Sequence, residues 1–270
     1  MKTFALLIIF SILFVYCQQS EESLQLVHVF FRHGSRTPEF KATYPKDIYK
    51  LEDFMPMGWG QLTNVGKQRA YKLGKLLRNR YDSFLGDIYT PELVEATSTD
   101  FDRTKMTVLL VLAGLFPPAQ SQMWDDGLSW IPIPYYFEKA EHDYFIRRPT
   151  DYCPAYVDAL NKVYESAAYA EALKDHEEVL KYIEENTGKP MGTLEDVFDV
   201  FQTLYAERQM NFTLPEWTKS VFPEPISSIA GIQCNFENYN GILKRLNGGR
   251  ILKKVIEHMV KKSNNDTACS

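Results

Sequence analysis

Positive charge is not in excess in this 270-residue chain: 35 acidic side chains outnumber 30 basic ones, for a net charge of −5. No basic stripe breaks the mixture of signs, so nucleic acid is not an expected partner. Histidine and cysteine are scarce, with five and four copies. Their spacing forms no metal-ligand cluster, and neither a metal nor another cofactor is expected. Internal repeats and low-complexity tracts are absent, which excludes solenoids and extended disorder. After residue 16 no apolar run approaches the roughly 20 residues of a membrane-crossing helix, so no stable span is expected.

The sequence does contain an apolar start. Lys2 precedes Phe4–Tyr16, a run of 13 residues interrupted only by Ser11. That is the pattern of a secretory signal, with cleavage after Cys17, and it predicts a secreted chain. Two sequons, at Asn211 and Asn265, fit an exported glycoprotein. Removal of residues 1–17 leaves Cys153, Cys234 and Cys269, an odd count for an oxidising compartment. Their pairing stays open. Cys234 with Cys269 is one arrangement, and it leaves Cys153 for a partner further on.

With 45% apolar and 14% aromatic residues, the composition is globular. Leu24–Phe31 (LQLVHVFF) is continuously apolar and β-branched, and predicts a strand buried on both faces. It empties into Arg32-His33-Gly34-Ser35-Arg36-Thr37-Pro38, and strand ends of this kind hold ligands in open α/β sheets. Thr63 predicts the cap of a helix over 64–81, and a second, buried helix is predicted over 103–115. Residues 130–134, with two prolines, predict a crossing rather than a central strand. Helical patterning occupies 153–205, with Thr193 and Asp196 as a capping box. Gly248-Gly249 precede a last helix over 250–262, whose Ile251, Leu252, Val255, Ile256 and Met259 share one face.

The loop at 32–36 carries the chemistry. Two arginines and a histidine crowd one strand end, an arrangement that an anion relieves. Guanidinium groups grip phosphate oxygens in a bidentate fork, and imidazole forms covalent intermediates. The arginine charge should also depress the histidine pKa and keep a neutral ring below about 6.5.

The run Val29–Pro38 resembles the RHGxRxP signature of the histidine acid phosphatases, within the histidine phosphatase superfamily. Matches continue in order through Gly60-Gln61-Leu62-Thr63, Gly66, Tyr71-Lys72-Leu73-Gly74, Ser98-Thr99-Asp100, Asp102-Arg103-Thr104, Asn211–Pro215 with Trp217, and Gly248-Gly249. The likeness includes the prostatic, lysosomal and insect venom-type secreted enzymes. It implies a three-layer α/β/α domain with a mixed, mostly parallel central sheet, built from 18–134 and 236–270, and a helical insert over 135–235. His33 is then the phosphate-accepting nucleophile, and Arg32, Arg36 and Arg103 hold the phosphoryl oxygens.

The family's general acid is a carboxyl after a second histidine, on a strand beyond the late helix, and no residue here matches it. His142-Asp143 has the dipeptide at the wrong place. His28, His176 and His258 receive no catalytic role. The chain therefore reads as part of a longer product. The resemblance implies hydrolysis of phosphate monoesters, on small molecules or phosphopeptides, by a homodimer that is secreted or lysosomal. The competing reading, motivated by the unmatched acid, is a secreted phosphate- or phospholigand-binding protein with impaired catalysis. The export signal argues against an intracellular phosphomutase.

Overall fold

The structure, a computed structural model, describes residues 24–264. The signal sequence, Cys17, Asn265 and Cys269 lie outside the described residues. The chain divides into two compact units: Arg32–Ile251, and a smaller one joining 24–31 with 252–264 among the described residues.

The larger unit is rich in helix. Thr63 caps α1 (Asn64–Leu85) by accepting the Gly66 N–H at 3.1 Å, as its position before the apolar stripe predicts. Next come β1 (Thr97–Ser98) and α2 (Asp102–Leu115), then β2 (Tyr136–Phe137). β1 and β2 pair in parallel, Thr97 opposite Tyr136, and form the only sheet among the described residues. The α/β class stands, with a small parallel sheet and helices dominant.

Helices α1 and α2 cross at two glycines. A Cβ on Gly74 would lie 2.1 Å from the Val111 carbonyl oxygen, and one on Gly114 would lie 2.3 Å from that of Tyr71. Ala96, Val108, Leu112, Phe116 and Ile133 form a small core on the sheet side.

The second half folds as α3 (Pro154–Tyr164), α4 (Ala167–Asp175), α5 (Glu177–Thr187), α6 (Leu194–Gln209) and α7 (Ile226–Phe236). The Thr193–Asp196 capping box starts α6. Apolar residues at helical spacing (Leu194, Val197, Val200 and Leu204) are fully buried and meet Tyr156, Ile183, Ile226 and Ile229 in the main core. Tyr44 joins that core from the N-terminal region.

Two expectations fail. Leu24–Phe31 is not a buried strand: it has no assigned secondary structure, and Phe30 is 66% exposed. A strand exists through its ladder, and among the described residues no segment pairs with this one. The last helix, α8, runs over Gly241–Ser263, so Gly248 and Gly249 lie inside it. Two glycines weaken a helix by about 1 kcal/mol each against alanine, which 23 residues of continuous hydrogen bonding tolerate. Leu252, Ile256 and Met259 on this helix are exposed, unlike a core-facing stripe.

Beneath Tyr44, the carboxyl of Glu207, at the end of α6, faces that of Asp47; both residues are buried. Burial first, and then the Asp47 charge, push the Glu207 pKa up to about 9. A proton on Glu207 turns the repelling pair into a hydrogen-bonded one. Lys50 and Asp53 are charged neighbours of the pair, and the phenols of Tyr44 and Tyr49, both pushed upward chiefly by burial, stay neutral beside it.

Gly66→Ala forces a Cβ to within 2.1 Å of the Ser35 carbonyl oxygen. It should destabilise by about 1–3 kcal/mol, whereas Gly231→Ala, with open space around its Cβ, should stabilise by about 0.5–1 kcal/mol; thermal unfolding midpoints decide both. Because folding raises the Glu207 pKa above its unfolded value, its contribution is complete below pH 4.5 and is lost as pH rises toward 9. The midpoint should therefore fall between pH 5 and pH 8 in the native chain, and fall less in Glu207→Gln.

Candidate active site

The segment 34–38 is held flat against 60–63. Thr37 N–H donates to Gln61 O (2.9 Å), Gly60 N–H to Pro38 O (2.7 Å) and Thr63 N–H to Ser35 O (2.9 Å). The Thr37 hydroxyl donates to Gly58 O at 2.7 Å. These bonds make Arg36 and Leu62 an antiparallel bridge. A Cβ on Gly34 would lie 2.4 Å from the Gly66 carbonyl oxygen. The loop therefore rests directly on the first turn of α1, and only glycine allows that approach.

Helix α2 is tied to the same loop. The Thr107 hydroxyl accepts the Gly34 N–H at 3.3 Å and donates to Arg103 O at 2.7 Å. Arg103 stands in the first turn of this helix, where the backbone favours anions. Its guanidinium stacks on Phe101, 4.3 Å from the ring centre.

His33 is half-buried, and its Nδ1 lies 2.8 Å from Gly34 O. In the neutral ring that contact puts the proton on Nδ1 and leaves the Nε2 lone pair unprotonated. The pKa falls to about 4. Burial is the first cause; the Gly34 bond opposes it, and Arg32, Arg103 and Arg36 add smaller depressions. The expected arginine effect is thus real but secondary.

Arg36 is buried, at 6% exposure. Its Nη1 donates to Thr37 O and its Nη2 to Gln202 Oε1 of α6, both at 2.9 Å. Burial first, opposed by Glu39 and reinforced by Arg103 and Arg32, lowers its pKa to about 10. It stays charged in neutral and acidic solution, so the crowding appears as a demand for negative charge. Arg103 is lowered for the same first cause. Glu39 answers part of that demand: Oε1 lies 2.9 Å from Arg103 Nη2 and 3.4 Å from Arg36 Nη2. The Nε atoms of Arg36 and Arg103 are buried with no acceptor among the described residues.

Next to these groups is a cavity of about 470 Å³, lined by Glu39, Phe40, Trp59, Phe101, Asp102 and Arg103 among others. Phe54 lies behind Trp59 (ring centres 4.8 Å apart) and next to Phe212 (5.8 Å). Asn211 is exposed, with φ of 62°, in the left-handed region that asparagine tolerates.

The structure thus brings Arg36, Arg103 and His33 into one electrostatic neighbourhood, with the more exposed Arg32 acting on the same imidazole. It adds three residues that sequence reading missed. Glu39 sits three places after Arg36, a local signal that was open to notice. Thr107 follows Arg103 by one helical turn. Gln202 is 166 residues from Arg36, and nothing local marks it. Asp143 is occupied elsewhere, accepting the N–H groups of Phe145 and Ile146. His258 stacks on His28 in the smaller unit, with ring centres 5.5 Å apart.

NMR of the His33 ring should find the Nδ1–H tautomer at pH 6 and a titration midpoint near 4. Arg103→Gln should move that midpoint upward. A midpoint near 6.5 in the native chain would contradict the described environment.

Over 243 residues the chain is 41% identical to the venom acid phosphatase Acph-1 of Apis mellifera, covering 89% of this chain and 62% of that one. It is 34% identical to a lysosomal acid phosphatase of Xenopus laevis (97% and 60% covered) and 32% identical to the prostatic acid phosphatase of Homo sapiens (88% and 62%). The chain spans about 60% of the length of these relatives. A solved phytase of Klebsiella sp. ASR1 shares the fold at a TM-score of 0.59 and 15% identity, covering 82% of this chain and 61% of that one. With the family model matched over residues 23–269, the chain belongs to the histidine phosphatase superfamily, branch 2.

Proposed function

We propose that the protein hydrolyses phosphate monoesters through a phosphohistidine on His33. The observation that carries this reading is an unprotonated imidazole nitrogen in the same neighbourhood as two buried guanidinium Nε donors that have no acceptor among the described residues. Buried donors without partners are costly, and phosphoryl oxygens would satisfy them. Arg36 and Arg103 would hold two non-bridging oxygens, with Arg32 adding charge from the exposed side. The His33 Nε2 lone pair would attack phosphorus in line as the bond to the ester oxygen breaks. Water would then attack the phosphohistidine, releasing phosphate and regenerating the ring. Charge stabilisation by fixed donors is the main source of rate in such transfers.

The depressed His33 pKa supports work in acid, because the ring keeps its lone pair down to about pH 4. The names of the relatives, venom, lysosomal and prostatic acid phosphatases, support the same reaction class and a secreted or lysosomal destination. No helix among the described residues is long and apolar enough to cross a membrane. The exposed Asn211 suits a glycan. We extend to this chain the homodimer that the resemblance implies.

No described residue is assigned as proton donor to the leaving oxygen. Esters with acidic phenol leaving groups need that help least, and general acid catalysis is worth about 10²- to 10⁴-fold. The 270-residue chain should therefore turn over p-nitrophenyl phosphate much faster than glycerol phosphate. His33→Asn should abolish labelled phosphohistidine formation, and Arg103→Ala should weaken phosphate binding by about 10- to 100-fold. Undiminished turnover by His33→Asn would end this reading. Phosphate binding without labelling of the native chain would favour the non-catalytic binding protein.

A further inference from the structure

Glu39 holds a position that the proposed chemistry does not use. Its Oε1 takes the Nη2 groups of both Arg36 and Arg103, at 3.4 and 2.9 Å. One carboxylate oxygen shared by two guanidiniums resembles a phosphoryl oxygen in its contacts. Glu39 also lines the cavity of about 470 Å³ from which an ester would approach. The rest of that wall is aromatic at Phe40, Trp59 and Phe101, acidic at Asp102 and at Asp100, which Lys105 neutralises, and basic at Lys41, so that Glu39 and Asp102 outweigh its one further cation. Resting on the phosphate-site reading above, we infer that Glu39 is a specificity-determining residue: it competes with the incoming phosphoryl group for Arg36 and Arg103, and it turns away esters whose leaving group carries further phosphates.

The physical argument has two parts. A phosphoryl group carries more charge than a carboxylate and offers more acceptor oxygens, so it can displace Glu39 and also reach the Nε donors that have no acceptor among the described residues. The displaced carboxylate remains tethered to the loop by two methylenes and stays within the cavity. There it repels any second anionic group on the leaving side, while an uncharged aromatic or alkyl leaving group meets Phe40 and Trp59 without penalty. Discrimination thus comes from a built-in repulsive element as much as from attraction.

Titration calorimetry of the 270-residue chain with inorganic phosphate and with inositol hexakisphosphate tests this. Glu39→Gln should tighten phosphate binding by about 10-fold and hexakisphosphate binding by more. Asp102→Asn removes the same charge from the same wall but from a residue paired with neither arginine among the described residues, and should change each affinity by less than about 3-fold. Glu39→Asp, whose charge stays but whose reach shortens, should fall between native and Gln. Equal affinities in native and Glu39→Gln chains, or an Asp102→Asn effect as large as that of Glu39→Gln, would overturn the inference while leaving the phosphate site intact. If Glu39→Gln does not fold, Glu39→Asp decides, and native affinity for both ligands in that variant overturns it. Failure of folded native and Glu39→Gln chains to bind phosphate at all would instead bring down the site reading, and this inference with it.

Discussion

Like charges gathered beside a half-buried imidazole are the constraint on which this site depends. Three guanidiniums act on His33, and two of them, Arg36 and Arg103, are depressed chiefly by their own burial. Such a cluster persists only where oxygen atoms surround it. The loop supplies Thr37 O, α6 supplies Gln202, Gly60 offers its carbonyl at a longer 3.4 Å, and Glu39 supplies an opposite charge in direct contact. The two Nε donors without an acceptor among the described residues are as informative as the matched ones, because further acceptor oxygens would satisfy them.

The scaffold around that cluster is made rigid by backbone rather than by side-chain bulk. The 34–38 loop is hydrogen-bonded along 60–63 and rests on α1 at Gly66. Helix α2 is fastened to the loop through Thr107 and to α1 through the Gly74 and Gly114 contacts. His33, Arg36 and Arg103 therefore come from segments joined by close backbone contacts and one threonine hydroxyl, which limits how far any of them drifts. The glutamine on α6 ties the helical half of the chain to the same point.

Much of this was legible in the residue order because it is written locally. Thr63 before an apolar period marks a helix start, and the Thr193–Asp196 spacing marks another. Elements that depend on distant partners were not legible. Leu24–Phe31 has the composition of a buried strand, but composition does not supply a neighbour to pair with. Gly248-Gly249 reads as a break until the length of α8 around it is known. Gln202 is an ordinary helix residue in sequence, and its hold on Arg36 exists only after the helical half folds over the loop.

Trp59 has two neighbourhoods: it lines the cavity, and its ring packs on Phe54 and tilts against Phe40. An indole fixed in that way senses polarity and water on the cavity side while its own motion is restrained from behind. The site thus contains its own optical gauge. With the other three tryptophans replaced, emission from Trp59 would follow arrival and departure of an occupant in real time, without a dye or a chromogenic ester.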